Sequence, residues 1–330
     1  MNYPPAMSGT CHVLGPQRPL QSLPSVLETI PGEGPVAVIT AGWRQDEADD
    51  RALLRDIGPK ALSVPLYAWF EGFLQEVPEL AEAYRGRQRA LKELKRIYRV
   101  RLGPALAVVR DLLESRLGHP ELVDAEVEDA IRAVRDLDRR YLERSGTLQR
   151  EFRETWEPGT HPVVRSYRER CAERLNGVRA VIVAGGHVGV LRNRLFFFGV
   201  EQALHRAHRS GATIVCWSAG AMALTERVVL FHDDPPHAQR EAEVFDRGLS
   251  LLPGVVLLPH VRARLRLDDV ARMSVFASRF EPALCLGLEP GAWLTWEDGT
   301  WSSRGSKGSV LRLDPCGQPV PQEGALAIPA

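Results

Sequence analysis

The 330-residue sequence lacks any apolar run close to the ~20 residues that a membrane-spanning helix needs. It also lacks a basic N-terminal segment followed by an apolar stretch, which is the pattern of a secretory signal. Net charge is missing as well, since 42 basic residues balance 42 acidic ones. This balance gives no support to a nucleic-acid or membrane-surface partner. We therefore expect a cytoplasmic protein with no nucleic acid and no membrane among its partners.

The cysteines are few and scattered. No two of them form a CxxC pair, and their odd number of five suits neither a disulfide framework nor a zinc site. Residue types that bind zinc or manganese occur together at His232, Asp233, Asp234 and His237, but two prolines stiffen this segment and the spacing is not that of a helix pair. We expect a reducing compartment, no metal and no other cofactor.

Short apolar, β-branched runs recur along the chain and predict buried parallel strands. Several are followed by glycine and then by a helical pattern, an order typical of a doubly wound α/β sheet. Residues 292–310 alternate in polarity around the turn Glu297-Asp298-Gly299 and predict a terminal β-hairpin. The predicted strands are 11–14, 36–40, 180–184, 213–217, 255–258 and 284–288.

The middle of the chain has a different pattern. Residues 78–117 and 121–156 are rich in Arg, Glu, Leu and Ala at helical spacing, and Gly118-His119-Pro120 separates them. We predict a helical hairpin, 78–156, inserted in a single α/β domain that spans 1–330. Its arginines are expected to form a solvated face, and a dimerisation arm or substrate lid is the alternative. The Pro/Gly-rich segment 314–330 predicts a flexible tail.

The segment Gly211-Ala-Thr-Ile-Val-Cys-Trp-Ser-Ala-Gly-Ala221 carries the strongest signal for chemistry. A β-branched strand runs directly into small residues and then into a helical pattern, which predicts a nucleophile elbow with Ser218 at its tip. The backbone N–H of Ala219 would then face a developing oxyanion. A lone serine at a helix start is usually only an N-cap. Here the preceding strand and the small neighbouring residues favour a nucleophile elbow over an N-cap.

A second strand ends in glycines, in Val181-Ile-Val-Ala-Gly-Gly-His187. Gly185 and Gly186 could supply another oxyanion donor, although a tight turn needs glycine in any case. Ligands in open α/β sheets bind outside the carboxyl ends of the strands, which favours the functional interpretation.

The general base is expected downstream, and His260 ends the predicted strand Leu251-Leu-Pro-Gly-Val-Val-Leu-Leu-Pro-His260. A triad also needs an acid that orients the imidazole. Asp233 and Asp234 stand between serine and base, in a stretch that by itself is typical of a plain turn.

Residues 180–299 resemble peptidase family S51, which includes peptidase E and cyanophycinase. The family's order is largely reproduced: a strand, Gly-Gly and a polar residue, the serine elbow, an acid loop, and Leu-Leu-Pro before a strand that ends in histidine. The resemblance implies a flavodoxin-like fold related to class I glutamine amidotransferases. It also implies a serine hydrolase that acts on a peptide or isopeptide bond of a small substrate.

Matched residue by residue, the resemblance assigns the nucleophile to Ser218, the base to His260 and the acid to Asp233, with Asp234 as the substitute. It assigns the oxyanion amides to Gly186 and Ala219, supported by Gly185 and His187, and it makes a homodimer plausible. Three departures stand out. Cys216 replaces a glycine, His187 replaces an asparagine, and the long helices have no counterpart in the small peptidases, so substrate specificity should differ.

Two other functions compete with this hypothesis. A glutamine amidotransferase would need a cysteine at the elbow tip, where Ser218 stands and Cys216 is two residues away. A scaffold without activity could use the helical hairpin to bind a partner, because a fold does not determine a function. For the hydrolase, Arg192, Arg194, Arg262 or Arg264 could bind a substrate carboxylate.

Overall fold

The computed structural model describes residues 9–115, 119–232 and 240–326. Its strands are β1 (Cys11–Leu14), β2 (Val36–Ile39), β3 (Ala61–Ser63), β4 (Ala180–Val183), β5 (Thr213–Trp217), β6 (Arg227–His232), β7 (Arg240–Arg247), β8 (Val255–Pro259), β9 (Leu284–Leu288), β10 (Trp293–Glu297), β11 (Thr300–Ser303), β12 (Val310–Leu313), β13 (Pro319–Pro321) and β14 (Gly324–Leu326).

Helices connect most of these strands. They are α1 (Leu23–Thr29), α2 (Arg51–Ile57), α3 (Leu66–Glu76), α4 (Pro78–Glu114), α5 (Pro120–Trp156), α6 (Pro162–Leu175), α7 (Val188–Phe197), α8 (Val200–Arg209), α9 (Ala219–Leu224), α10 (Val261–Arg264) and α11 (Val270–Phe280), with a 3-10 helix at Ala41–Asp49. Among the described helices, none is long and apolar enough to span a membrane.

An eight-stranded sheet forms the centre of the molecule, in the order β14-β11-β10-β1-β5-β4-β2-β3. The strands from β1 to β3 in that order are parallel, while β10, β11 and β14 extend the sheet antiparallel. Alternate residues of a strand enter two different apolar cores, as Ile214 and Cys216 do on one face and Val215 and Trp217 on the other. Both faces are therefore covered, which is why these strands read as continuous apolar runs. The α/β class predicted from the sequence is confirmed.

The runs around 255–258 and 284–288 do not join the central sheet. They form β8 and β9, which pair in parallel within a second sheet of order β13-β12-β9-β8. The terminal hairpin is present as β10 and β11, which turn at Asp298 and Gly299, both with positive φ. Two short strands, β13 and β14, lie in the segment 314–330 for which the sequence predicted a flexible tail.

The inserted helical hairpin consists of α4 and α5, close to the predicted bounds. Each helix begins at a proline, which suits the first turn because the missing N–H would have no acceptor there. The two helices pack on each other, and both also contact α11 and β7. The rings of Tyr98 and Tyr141 stack across the hairpin with centroids 4.4 Å apart. The hairpin is thus packed against the body of the protein along one side.

A buried ion pair connects the hairpin to the body. The Arg279 guanidinium of α11 donates to both carboxylate oxygens of Asp138 in α5, each at 2.7 Å. The Tyr98 hydroxyl of α4 donates to the same carboxylate at 2.6 Å and accepts from the backbone N–H of Val244 in β7 at 3.2 Å. Arg279 also donates to the Ala242 carbonyl at 2.6 Å. One cluster therefore joins α4, α5, α11 and β7.

We expect Asp138→Asn to lower the free energy of unfolding by about 3–5 kcal/mol, because it leaves the buried Arg279 cation without its counter-charge. The measurement is urea unfolding at pH 7. The matched control is Asp136→Asn, two residues away on the same helix, whose ion pair with Arg139 is largely exposed. The control should change stability by about 0.5 kcal/mol or less. Equal effects of the two variants would show that the cluster does not hold the hairpin.

Candidate active site

A large cavity lies at the carboxyl ends of β1, β5, β4 and β2. It has a volume of about 990 Å³, and its lining includes Gln17, Trp43, Gly186, Ser218 and His260. Because parallel strands bring their carboxyl ends to one edge, the loops that follow them meet here. The structure therefore brings the predicted nucleophile, the predicted base and the two predicted oxyanion residues to one cavity.

Ser218 sits on a strained turn between β5 and α9. Its backbone angles are φ 49° and ψ −120°, a left-handed conformation that is costly for a residue with a side chain. The helix that follows packs tightly on β4, since a Cβ at Gly220 would lie 2.1 Å from the Val183 carbonyl oxygen. Only glycine fits at this position. The strand, the strained serine and the small neighbours together form the elbow that the sequence predicted.

The turn after β4 crosses the loop after β2 at very short range. Gly186 has φ 134°, and a Cβ there would lie 2.5 Å from the carbonyl carbon of Gly42. The His187 N–H donates to the Gly42 carbonyl at 2.7 Å, which holds the two loops together. Glycine at position 186 is thus required by backbone contact between two loops, which the local sequence does not show.

The predicted supporting residues have clear places around this turn. Gly185 is buried beside the elbow, where an added Cβ would lie 2.9 Å from Cβ of Ser218. His187 is exposed, and its Nδ1 accepts from the Val190 N–H at 3.2 Å, which caps α7. Ala219 is the first residue of α9, so its N–H has no acceptor inside the helix. Gly186 and Ala219 both line the cavity, and their role as oxyanion donors stays a prediction.

His260 ends β8 and also has a left-handed backbone, with φ 58° and ψ 41°. Its N–H donates to the Leu288 carbonyl of β9 at 2.9 Å. Burial lowers the pKa of the imidazole below its usual 6.5, the Arg264 charge lowers it further, and the Glu289 charge opposes both. This shift favours the neutral ring, which is the form that a general base needs.

The predicted acids, Asp233 and Asp234, lie outside the described residues, as does His237. A carboxylate that the sequence reasoning missed is Glu289, which directly follows β9 and acts electrostatically on His260. Its Oε1 accepts from the Arg262 N–H at 2.8 Å. The same rule that selected His260, a polar residue directly after a buried strand, could have selected Glu289.

The walls of the cavity carry opposite charges. Asp46, Asp49 and Asp56 line it, and so does Arg264. Arg264 is half-buried and pairs with no carboxylate among the residues that the structure describes. The inserted hairpin also reaches the cavity, through Arg99.

Arg99 is held in place by Glu243 of β7. Its Nε and one terminal nitrogen donate to the two carboxylate oxygens at 2.5 and 2.7 Å, and Lys95 approaches the same carboxylate at 3.1 Å. Two cations thus share the Glu243 carboxylate, and Arg99, Glu243 and Glu241 line this part of the cavity.

Cys216 is fully buried in the core beneath the elbow, and burial raises the pKa of its thiol well above the usual value. It therefore lines no part of the cavity and is a poor nucleophile. Within the described ranges, no three His, Cys, Asp or Glu side chains converge in the way that a metal ion requires.

Comparison with known proteins shows what these features are similar to. Residues 144–303 match the model of Peptidase family S51. Over 91 residues the chain is 36% identical to cobyric acid synthase of two Bacteroides fragilis strains, a match that covers 28% of this chain and 16% of the relative's length. The crystal structure of a peptidase from an acI-B1 Actinobacterium shares the fold, with a TM-score of 0.50 and 12% identity over 98% of this chain and 96% of that one. The resemblance to peptidase family S51 that the motifs predicted is thus confirmed along residues 144–303.

Proposed function

We propose that this protein is a serine hydrolase that cleaves a peptide or isopeptide amide bond of a small, dipeptide-like substrate. One observation carries the proposal: Ser218 and His260 each adopt a strained left-handed backbone at a strand end, and both line one cavity. Strained non-glycine residues cluster at active sites because the surrounding fold must hold them there. The match to peptidase family S51 supports the same class of reaction.

The proposed reaction is acyl transfer to water. The Ser218 hydroxyl attacks the substrate carbonyl while His260 takes its proton and then returns it to the leaving amine. The N–H groups of Gly186 and Ala219 donate to the oxyanion of the tetrahedral intermediate. A water molecule, activated by the same imidazole, then hydrolyses the acyl-enzyme.

The charges of the cavity support a small zwitterionic substrate. Arg264, without a described carboxylate partner, is placed to bind a substrate carboxylate near His260. Asp46 and Asp49, which also line the cavity, suit an ammonium group. A dipeptide or isodipeptide carries both charges, and the cavity volume of about 990 Å³ is ample for one.

The acid of the triad has two candidates. The resemblance to the S51 family favours Asp233, whereas Glu289 is the described carboxylate whose charge acts on His260. We assign the orienting role to Asp233 and an electrostatic role to Glu289, whose Oε1 already accepts a backbone hydrogen bond.

The first test is covalent labelling of Ser218 with a fluorophosphonate probe, followed by intact-mass measurement. We expect one adduct on the wild type and none on Ser218→Ala. The matched control is Ser250→Ala, since Ser250 is also a serine with positive φ but is exposed elsewhere. A folded wild type that takes no label would favour the inactive scaffold whose helical hairpin binds a partner.

The second test follows the pH dependence of the labelling rate. Because the His260 pKa is lowered, labelling should be on its plateau at pH 7 and decline only as the pH falls below 6.5. Arg264→Gln removes a charge that lowers this pKa, so the acid limb should move to higher pH. The probe has no carboxylate, so loss of substrate binding by Arg264 does not affect this readout. An unchanged limb would remove His260 from the role of base.

The third test separates the two acids. Asp233→Asn should slow labelling by about 10⁴-fold, the loss expected when the imidazole is no longer held in the correct tautomer. Glu289→Gln should instead move the acid limb to lower pH, because Glu289 raises the His260 pKa. The reverse pattern would transfer the orienting role to Glu289.

A further inference from the structure

A second, smaller cavity lies at the base of the helical hairpin, where α4 and α5 meet α6 and α7. Its volume is about 40 Å³, and none of its lining residues lines the Ser218 cavity. Four arginines line it, and no acidic residue does: Arg87, Arg153, Arg168 and Arg192. We call this cavity the arginine pocket.

The positive charge of the arginine pocket is poorly balanced. Arg192 forms an ion pair with Asp246 at 3.1 Å, and Arg168 donates to the Phe197 carbonyl, which carries no net charge. Neither Arg87 nor Arg153 pairs with a carboxylate in the described part of the chain. Asp246 and Glu201 offset the charge of Arg192, but neither lines the arginine pocket, where four guanidinium groups lie together without an acidic side chain. Such an arrangement is costly for those of the four that are shielded from water.

Two buried donors in the arginine pocket also lack acceptors. Nε of Arg87 and Nε2 of Gln88 are shielded from solvent and make no hydrogen bond to the described residues. The Arg87 guanidinium is fixed in position, 4.4 Å from the ring centroids of both Tyr84 and Phe152. Burial lowers the pKa of Arg87, Tyr84 and Asp246 oppose this shift, and the nearby charge of Arg192 adds to it. Buried donors without acceptors are rare in folded proteins and call for a bound partner.

We propose that the arginine pocket binds a phosphate group. A phosphate carries up to two negative charges and several acceptor oxygens, so one group can neutralise two unpaired arginines and accept from the two orphaned donors. The pocket is too small for a nucleotide, which restricts the ligand to inorganic phosphate or to the terminal phosphate of a monoester. Binding would join the hairpin, through Arg87 and Arg153, to the body of the protein, through Arg168 and Arg192.

The experiment measures phosphate binding to the full chain by titration calorimetry and by thermal unfolding, with ionic strength held constant by potassium chloride. Phosphate should raise the unfolding temperature of the wild type above the value in chloride alone. Arg87→Gln and Arg153→Gln should each weaken phosphate binding at least about tenfold, because each removes a charge-assisted contact. Arg153 is exposed, so its variant tests the site even when Arg87→Gln folds poorly.

The matched control is Arg101→Gln, an exposed arginine of α4 outside the arginine pocket, which should bind phosphate like the wild type. Glycerol phosphate serves as the monoester, and tighter binding of it than of inorganic phosphate would identify the monoester as the source. The proposal is overturned if phosphate stabilises no more than chloride does, or if the control loses as much affinity as the two pocket variants.

Discussion

The candidate site depends on the close approach of three backbone turns at the carboxyl ends of β2, β4 and β5. The turn at Gly186 meets Gly42 at a distance that leaves no room for a side chain, and Gly220 presses against the end of β4 in the same way. These contacts fix the position of the turn that carries Ser218 relative to the ends of β2 and β4. The strain of that residue persists only because the surrounding backbone is held in place on both sides. If the loops after β2 and β4 were farther apart, the Ser218 turn could relax, and the distance between α9 and the turn at Gly186 would increase.

The helical hairpin is part of the same cavity and is not an independent appendage. The buried cluster of Asp138, Arg279 and Tyr98 fixes α4 and α5 against β7, and β7 supplies the Glu243 that holds Arg99 at the cavity wall. The buried ion pair of Asp138 and Arg279 therefore helps to position the Arg99 cation at the cavity wall. The hairpin's contribution to the cavity wall follows from this connection, since an insertion that moved freely could not present a fixed cation.

Several features were predictable because their signals are local. The β-branched run before Ser218, the glycine pair after β4 and the prolines that begin α4 and α5 each record a requirement of the residues next to them. The pairing of β8 with β9 in a second sheet was not predictable, because apolar strands carry no mark of their partners. Glu289 could have been selected as a polar residue directly after a strand, but its position beside His260 arises from that pairing. The sequence of 314–330 predicts a tail because it does not show that β13 pairs with β12 or that β14 pairs with β11.

The sequence by itself determined the class of fold, the long helical insertion and the elbow serine, because periodicity and small residues at a strand end act over a few neighbouring positions. Only the tertiary structure decided which side chains share a cavity. It brought Ser218 and His260 together from two different sheets, placed Arg99 of the insertion beside them, and gathered four arginines at the hairpin base. Contacts between residues far apart in the chain depend on how whole elements pack, and that information is not contained in any single segment.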